Sequence, residues 1–204
     1  MKALFIAVAA AAALAGCAST ISDEQTAQRA EQVFHGAFTR GNQQIAARVA
    51  TQDETQALCT KYRDNPPKEI AEQIEKAQQA TIKYPATGMM GDWRQGEKIA
   101  QDGYGLRFTD PDAKRPNGGN CYACHQLSPK ELSFGTLGAG LRGYGKLRGN
   151  SDAIQRYTYG KIYNSQAFSA CSNMPRFGHN GILTEQQMKD LTALLLDPNS
   201  PVNQ

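Results

Sequence analysis

The sequence predicts an all-α fold. No run of alternating apolar and polar residues reads as a strand. Apolar residues recur three and four apart in separate blocks, the spacing of one helix face. The clearest blocks open on residues that cap helices, Ser22, Ser151 and Thr184, and the last of them closes on Pro198.

Residues 1–16 read as a targeting segment and are set aside from the fold. Lys2 precedes an uncharged apolar run from Ala3 to Ala15, too short to span a bilayer. Leu14-Ala15-Gly16-Cys17 then resembles a bacterial lipobox, in which Cys17 is lipidated and becomes the new N-terminus. The alternative is a plain secretory signal cut at a small residue nearby. Both place the folded chain outside the cytoplasm, in the periplasm, and the lipobox adds a lipid anchor at the membrane surface. Without Lys2, basic residues exceed acidic ones by two, which is no nucleic-acid signature.

From Ser22 to about Cys59 the chain is polar and helical in pattern. Ser22 and Gln25 form a capping box, and Ala27, Ala30, Val33, Phe34, Phe38, Ile45 and Val49 make a stripe broken near Gly41-Asn42. A second helix starts at Pro66-Pro67, since proline is tolerated in a first turn. Ile70, Ile74 and Ala77 line one of its faces, and Glu72 and Lys76 pair on another. Such helices are too weakly apolar to make their own core. Residues 17–87 are therefore expected to form a helical extension wrapping the core or a partner, or else a solvated linker, with the main domain at 88–204. In that domain Asp92 to Asp102 is a short helix with Gly103 at its C′ position. Gly96 in its middle costs about 1 kcal/mol relative to alanine, which a close helix crossing explains. The crossing partner is the last helix, capped at Thr184-Glu185-Gln186-Gln187, carrying Met188, Leu191, Leu194 and Leu195 and ended by Pro198. Ser151 caps a third helix with Ile154, Tyr157, Ile162 and Tyr163.

Cys121-Tyr122-Ala123-Cys124-His125 carries the chemistry. Two thiols two residues apart on one turn can each add across a haem vinyl group, and the histidine that follows supplies an axial nitrogen. A zinc site needs a second ligand pair, and the chain has no second Cys-x-x-Cys and no His-x-x-x-His. A thioredoxin-type dithiol belongs at a strand-to-helix junction, whereas this motif follows the loop Asn117-Gly118-Gly119-Asn120. The motif occurs once, so one covalently bound haem c is expected, held by Cys121 and Cys124 with His125 on the iron. A first and last helix crossing at a glycine beside it is the class I cytochrome c pattern.

The other axial position has several candidates: His35, Met89, Met90, Met174, His179 and Met188. Met188 reads as core packing, and Met89 and Met90 precede the first domain helix. Met174 lies in the irregular stretch Cys171-Ser172-Asn173-Met174-Pro175-Arg176-Phe177-Gly178, just before the last helix, and is the expected ligand; His179 is the chief rival. Histidine–methionine ligation raises the reduction potential and leaves no open site for a substrate. Tyr144, Lys146 and Arg148 either bind a haem propionate or form a solvated basic loop. Of five cysteines, Cys59 and Cys171 remain, an even pair in an oxidising compartment. A disulfide between them is the default; a bridge to a partner chain and two free thiols are the alternatives.

Five stretches stand out together: Gly119-Asn120 leading into the Cys-x-x-Cys-His motif, Phe134-Gly135-Thr136-Leu137-Gly138, Tyr144-Gly145-Lys146-Leu147-Arg148-Gly149, Met174-Pro175-Arg176-Phe177-Gly178 and Leu194-Leu195-Leu196-Asp197-Pro198-Asn199-Ser200-Pro201-Val202-Asn203. On these, residues 91–203 resemble SoxX, the monohaem subunit of the SoxAX cytochromes of sulfur-oxidising bacteria. The resemblance implies a heterodimer with a SoxA-like haem protein that acts as an L-cysteine S-thiosulfotransferase. In such a complex thiosulfate is joined oxidatively to a cysteine of a SoxYZ-like carrier, and electrons pass to this chain and on to a downstream acceptor. The isolated chain would have no activity of its own. The rival reading is a free periplasmic cytochrome lipoprotein serving an oxidase or dehydrogenase, and a haem sensor is a third. Two departures from the SoxX pattern stand out. One is the long N-terminal block with its lipobox. In the other, the Gly-Pro-x-Leu element of class I cytochromes reads Gly138-Ala139-Gly140-Leu141, which leaves open the carbonyl that orients His125; one near Pro129 is an alternative.

Overall fold

The computed structural model describes residues 22–37, 47, 50–105, 107, 110 and 114–204. The targeting segment, Cys17 and the expected break at Gly41-Asn42 lie outside the described residues. All regular structure among the described residues is helical, with no strand. The chain divides into two compact units, residues 1–40 and 41–204.

The first unit contains α1 (Asp23–Ala37), opened by the capping box that its sequence encodes: Ser22 Oγ accepts from Gln25 N–H and Gln25 Oε1 accepts from Ser22 N–H. The second unit holds α2 (Glu54–Lys61), α3 (Lys68–Gln79), α4 (Trp93–Gln101), α5 (Tyr144–Arg148), α6 (Asp152–Tyr163) and α7 (Glu185–Leu196), with 3-10 turns at Cys121–Ala123, Ser165–Ala167 and Pro201–Asn203. Helices α2 and α3, weakly apolar as they are, belong to the same compact unit as residues 88–204.

The frame of this unit is the crossing of α4 and α7. Gly96 lies against the Asp190 backbone so closely that a Cβ there would collide with the Asp190 carbonyl and press on Leu194 Cβ at 2.9 Å. Buried Asp190 also reaches the start of α4: its Oδ1 accepts from Asp92 N–H at 2.9 Å, and Lys189 O accepts from Gly91 N–H at 3.0 Å. Asp92 in turn caps α4 through Arg94 N–H. Around the crossing, Leu191, Leu194, Leu196, Ala100, Phe177 and the fully buried Tyr159 form the core. On α6, Tyr157 is exposed, while Tyr159 is fully buried.

Two local expectations are corrected, at the start of α3 and at residues 144–148. Gly103 takes its expected C′ position, though without a positive φ, at the end of α4. Asp102 ends it by turning extended (φ −81°, ψ 119°), and its carbonyl then accepts from Asn120 N–H. Pro67 is the N-cap of α3, one position outside the helix. Tyr144–Arg148 is a short helix, not a loop, between left-handed Gly143 (φ 66°, ψ 22°) and Gly149, which has a positive φ but an extended ψ (76°, −170°). The C-terminal tail explains how so short a helix forms. Asn203, fully buried, accepts through Oδ1 from Gly145 and Lys146 N–H at the start of α5, and donates through Nδ2 to Leu195 O and Asp197 O at the end of α7. One side chain thus satisfies orphan groups at two helix ends.

Candidate haem site

The motif sits on one tight turn. Asn120 adopts the left-handed region (φ 48°), and Cys124 and His125 N–H both donate to Cys121 O, at 3.1 and 2.9 Å. Both sulfurs are free, and both cysteines are half-buried. Burial pushes the Cys121 thiol up to about 12, with Cys124 and Glu97 adding to it, so it stays protonated at neutral pH. The turn is pinned to α4 by Tyr122, whose hydroxyl donates to Glu97 at 3.0 Å. Burial raises the Glu97 carboxyl above its ordinary range, and the bond from Tyr122 only partly offsets this.

The stretch Gly135–Leu141 runs alongside the motif and bonds to it at every third residue. Gly135 N–H donates to Tyr122 O, Gly138 N–H to Cys124 O and Leu141 N–H to Gln126 O, all within 2.8 Å. Gly138 lies against the His125 ring so closely that any Cβ would overlap it. Beside it, Ala139 O accepts from His125 Nδ1 at 2.8 Å. A carbonyl can only accept, so Nδ1 carries the proton and Nε2 keeps its lone pair for a metal. The orienting carbonyl is therefore that of Ala139, within the divergent Gly138-Ala139-Gly140-Leu141 element, and not one near Pro129.

Met174 is half-buried and packs against the same core that Cys121 borders. Its carbonyl accepts from Ser165 Oγ at 2.6 Å. Met188 is wholly inside the core, while Met89 and Met90 pack against its edge. His179 is engaged by Thr81 Oγ1 at 3.2 Å, and burial and Arg176 depress its pKa. His35, in the other unit, pairs with Glu31 on α1. The suggested propionate group is partly spent elsewhere: Tyr144 bonds Thr158, and Arg148 stacks on Tyr144.

These residues fit a covalently held haem. Two unbonded thiols stand on one turn, the imidazole has a fixed tautomer with Nε2 available, and a glycine clears room for its ring. Cys59 and Cys171 are joined as a disulfide within the chain, across a sequence separation of 112. Asp64 lies beside the pair, but sulfurs bonded to each other offer no thiolate to a metal.

Sequence reading missed what surrounds the Met174 loop. Arg176 is 4% exposed. Its guanidinium pairs with Asp53 and donates to Gln78 Oε1 at 3.1 Å. Gln78 donates to Thr55 and accepts from Asn164. Only the arginine, in an otherwise apolar Met-Pro-Arg-Phe-Gly loop, hinted at a buried anionic partner.

No family model matches the chain. The chain is 39% identical over 163 residues to an uncharacterized lipoprotein of Aquifex aeolicus (strain VF5), with 76% of this chain and 74% of that protein covered. At that identity and coverage, the chain belongs to one family with the Aquifex lipoprotein.

Proposed function

We propose that this chain is a periplasmic, SoxX-like cytochrome c, the electron-accepting subunit of a SoxAX-type L-cysteine S-thiosulfotransferase. Cys121 and Cys124 hold one haem c by thioethers, His125 and Met174 are its axial ligands, and the domain is class I cytochrome c-like. The bond between His125 Nδ1–H and Ala139 O, made possible by Gly138, carries the reading. A metal-bound histidine is held in this way through its other ring nitrogen, whereas a dithiol redox site would have no use for it. Bound there, the haem supplies a one-electron couple. The protein fixes the imidazole, offers Met174 from a tied loop and keeps the motif turn against α4.

The reaction assigned to the complex joins the outer sulfur of thiosulfate to a cysteine sulfur of a SoxYZ-like carrier. One sulfur–sulfur bond forms, the thiol proton leaves, and two electrons pass on to an acceptor beyond the complex. With both axial positions filled, this chain has no place for substrate sulfur, so alone it is inactive on thiosulfate. Leu137, on the stretch that runs beside the motif, and Leu132, three residues ahead of that stretch, are 90% and 92% exposed, apolar side chains suited to cover by a SoxA-like haem protein. The name of the Aquifex relative supports lipidation at Cys17 and a membrane anchor. No described helix is long and apolar enough to cross a membrane.

The test is copurification from native membranes with haem staining. A second haem protein should come with this chain, and charge at both leucines (Leu132→Glu with Leu137→Glu) should release it without altering the haem spectrum. Purified monomer converting thiosulfate unaided would overturn the assignment. So would a chain that binds no haem partner and reduces an oxidase directly; that result would favour a free carrier lipoprotein.

A further inference from the structure

We propose that Arg176 and the Cys59–Cys171 disulfide are positioning groups for Met174: together they tie both sides of its loop to α2 and α3 and so hold the methionine closed. This rests on Met174 being an axial ligand. Ahead of Met174, Cys171 is bonded to Cys59 of α2, and Ala170 N–H donates to Glu75 of α3 at 3.0 Å. Behind it, Arg176 reaches Asp53, the N-cap of α2, and Gln78 of α3. Asp53 does two jobs at once, since one carboxylate oxygen takes Gln56 N–H of α2 and the other takes Arg176. The loop between these ties has no helix of its own, and Cys171 itself stands in the left-handed region (φ 59°).

The physical argument concerns the cost of opening. Arg176 is a buried guanidinium, and a buried charge is tolerated only while paired and hydrogen-bonded. Swinging the loop outward strips the guanidinium of Asp53 and Gln78, or pulls the cap off α2. On the other side the disulfide forbids the swing covalently. A thioether is a neutral, weak ligand, so its occupancy depends on how rarely the loop opens. An incoming ligand binds only the open form, and its apparent affinity scales with the open fraction.

The experiment uses the ferric haem-loaded protein with imidazole as the incoming ligand, alongside hydrogen exchange of residues 172–178. Arg176→Gln, Asp53→Asn and the Cys59→Ser/Cys171→Ser pair should each bind imidazole at least about tenfold more tightly than wild type and exchange faster in the loop. Arg176→Lys, which keeps the charge, should fall between. Circular dichroism selects the variants that fold; Asp53→Asn is the mildest, since asparagine still caps α2. Met174→Ala marks the limit of full opening. If Met174→Ala keeps the methionine–iron charge-transfer band, the ligand reading fails. If Met174→Ala responds as expected, yet folded Arg176 and disulfide variants keep wild-type imidazole affinity and loop exchange, the positioning role fails alone.

Discussion

Gly138 shows how one residue couples backbone geometry to ligand geometry. A methyl group there has no room beside the His125 ring, so Gly138→Ala should turn the imidazole off Ala139 O or push the 135–141 stretch away from the motif. Haem bound per chain, measured as the pyridine haemochrome, should fall several-fold in that variant. Met174→Ala should lower the reduction potential and abolish the methionine–iron band, while Met188→Ala, buried in the core, should cost about 2–5 kcal/mol and leave the spectrum alone. Asp53 gives a pH prediction. Burial works against its ionisation, but the bonds from Gln56 N–H and Arg176 outweigh it and hold the carboxyl below its ordinary 3.8. A depressed folded pKa means stability that is present above the ordinary value and lost as the pH falls through the lower one. Wild type should therefore lose more Tm than Asp53→Asn on acidification below about pH 4, and equal losses would deny the shift. At this scale the Cys-x-x-Cys-His run could be picked out because its residues are contiguous in the sequence. Ala139 was not, since a carbonyl acceptor has no side-chain signature. Nor was the partner of Arg176, which stands 123 residues away.

Among elements, the α4–α7 pair was the most legible because its signals are local and costly. A glycine in mid-helix needs a reason, and the last helix carries its own capping box, in which Thr184 and Gln187 exchange bonds. Gly96→Ala should destabilise the protein by about 1–3 kcal/mol through overpacking against the Asp190 backbone, read from thermal or denaturant unfolding. An exposed mid-helix glycine would gain stability from the same change. Helix α5 was illegible for the opposite reason. Five residues flanked by glycines carry no periodicity, and the helix exists because Asn203 meets its first N–H groups from the far end of the chain. Asn203→Ala leaves several buried backbone groups unpaired, each worth about 1–3 kcal/mol. It should be among the most damaging tail substitutions, and slower proteolysis than in Pro198→Ala would count against that ranking.

The molecule as a whole is organised by ties that cross long stretches of sequence. Residues 50–87 lie within the stretch, 17–87, expected from sequence to be an extension. In the compact unit they carry Cys59, Asp53 and Gln78, three of the groups that reach the Met174 loop. A deletion that runs through residue 60 removes Asp53 and Cys59 and should therefore disturb both the haem spectrum and the Tm of the compact unit. Loss of the disulfide alone is worth up to about 4–5 kcal/mol in the chain-entropy model for a loop of this length. That bridge also sets a problem for biogenesis. Counting from the N-terminus, the cysteine after Cys59 is not its partner: Cys121 and Cys124 come first, and Cys171 last. An exporting cell that oxidised thiols in order of arrival would join Cys59 to the motif, or the motif to itself, and block haem attachment. On the proposed haem attachment, maturation is expected to need a reductant or isomerase that keeps the inner pair open until Cys171 arrives. Cys59→Ser/Cys171→Ser, less stable though it is, should load haem with less need of such a helper.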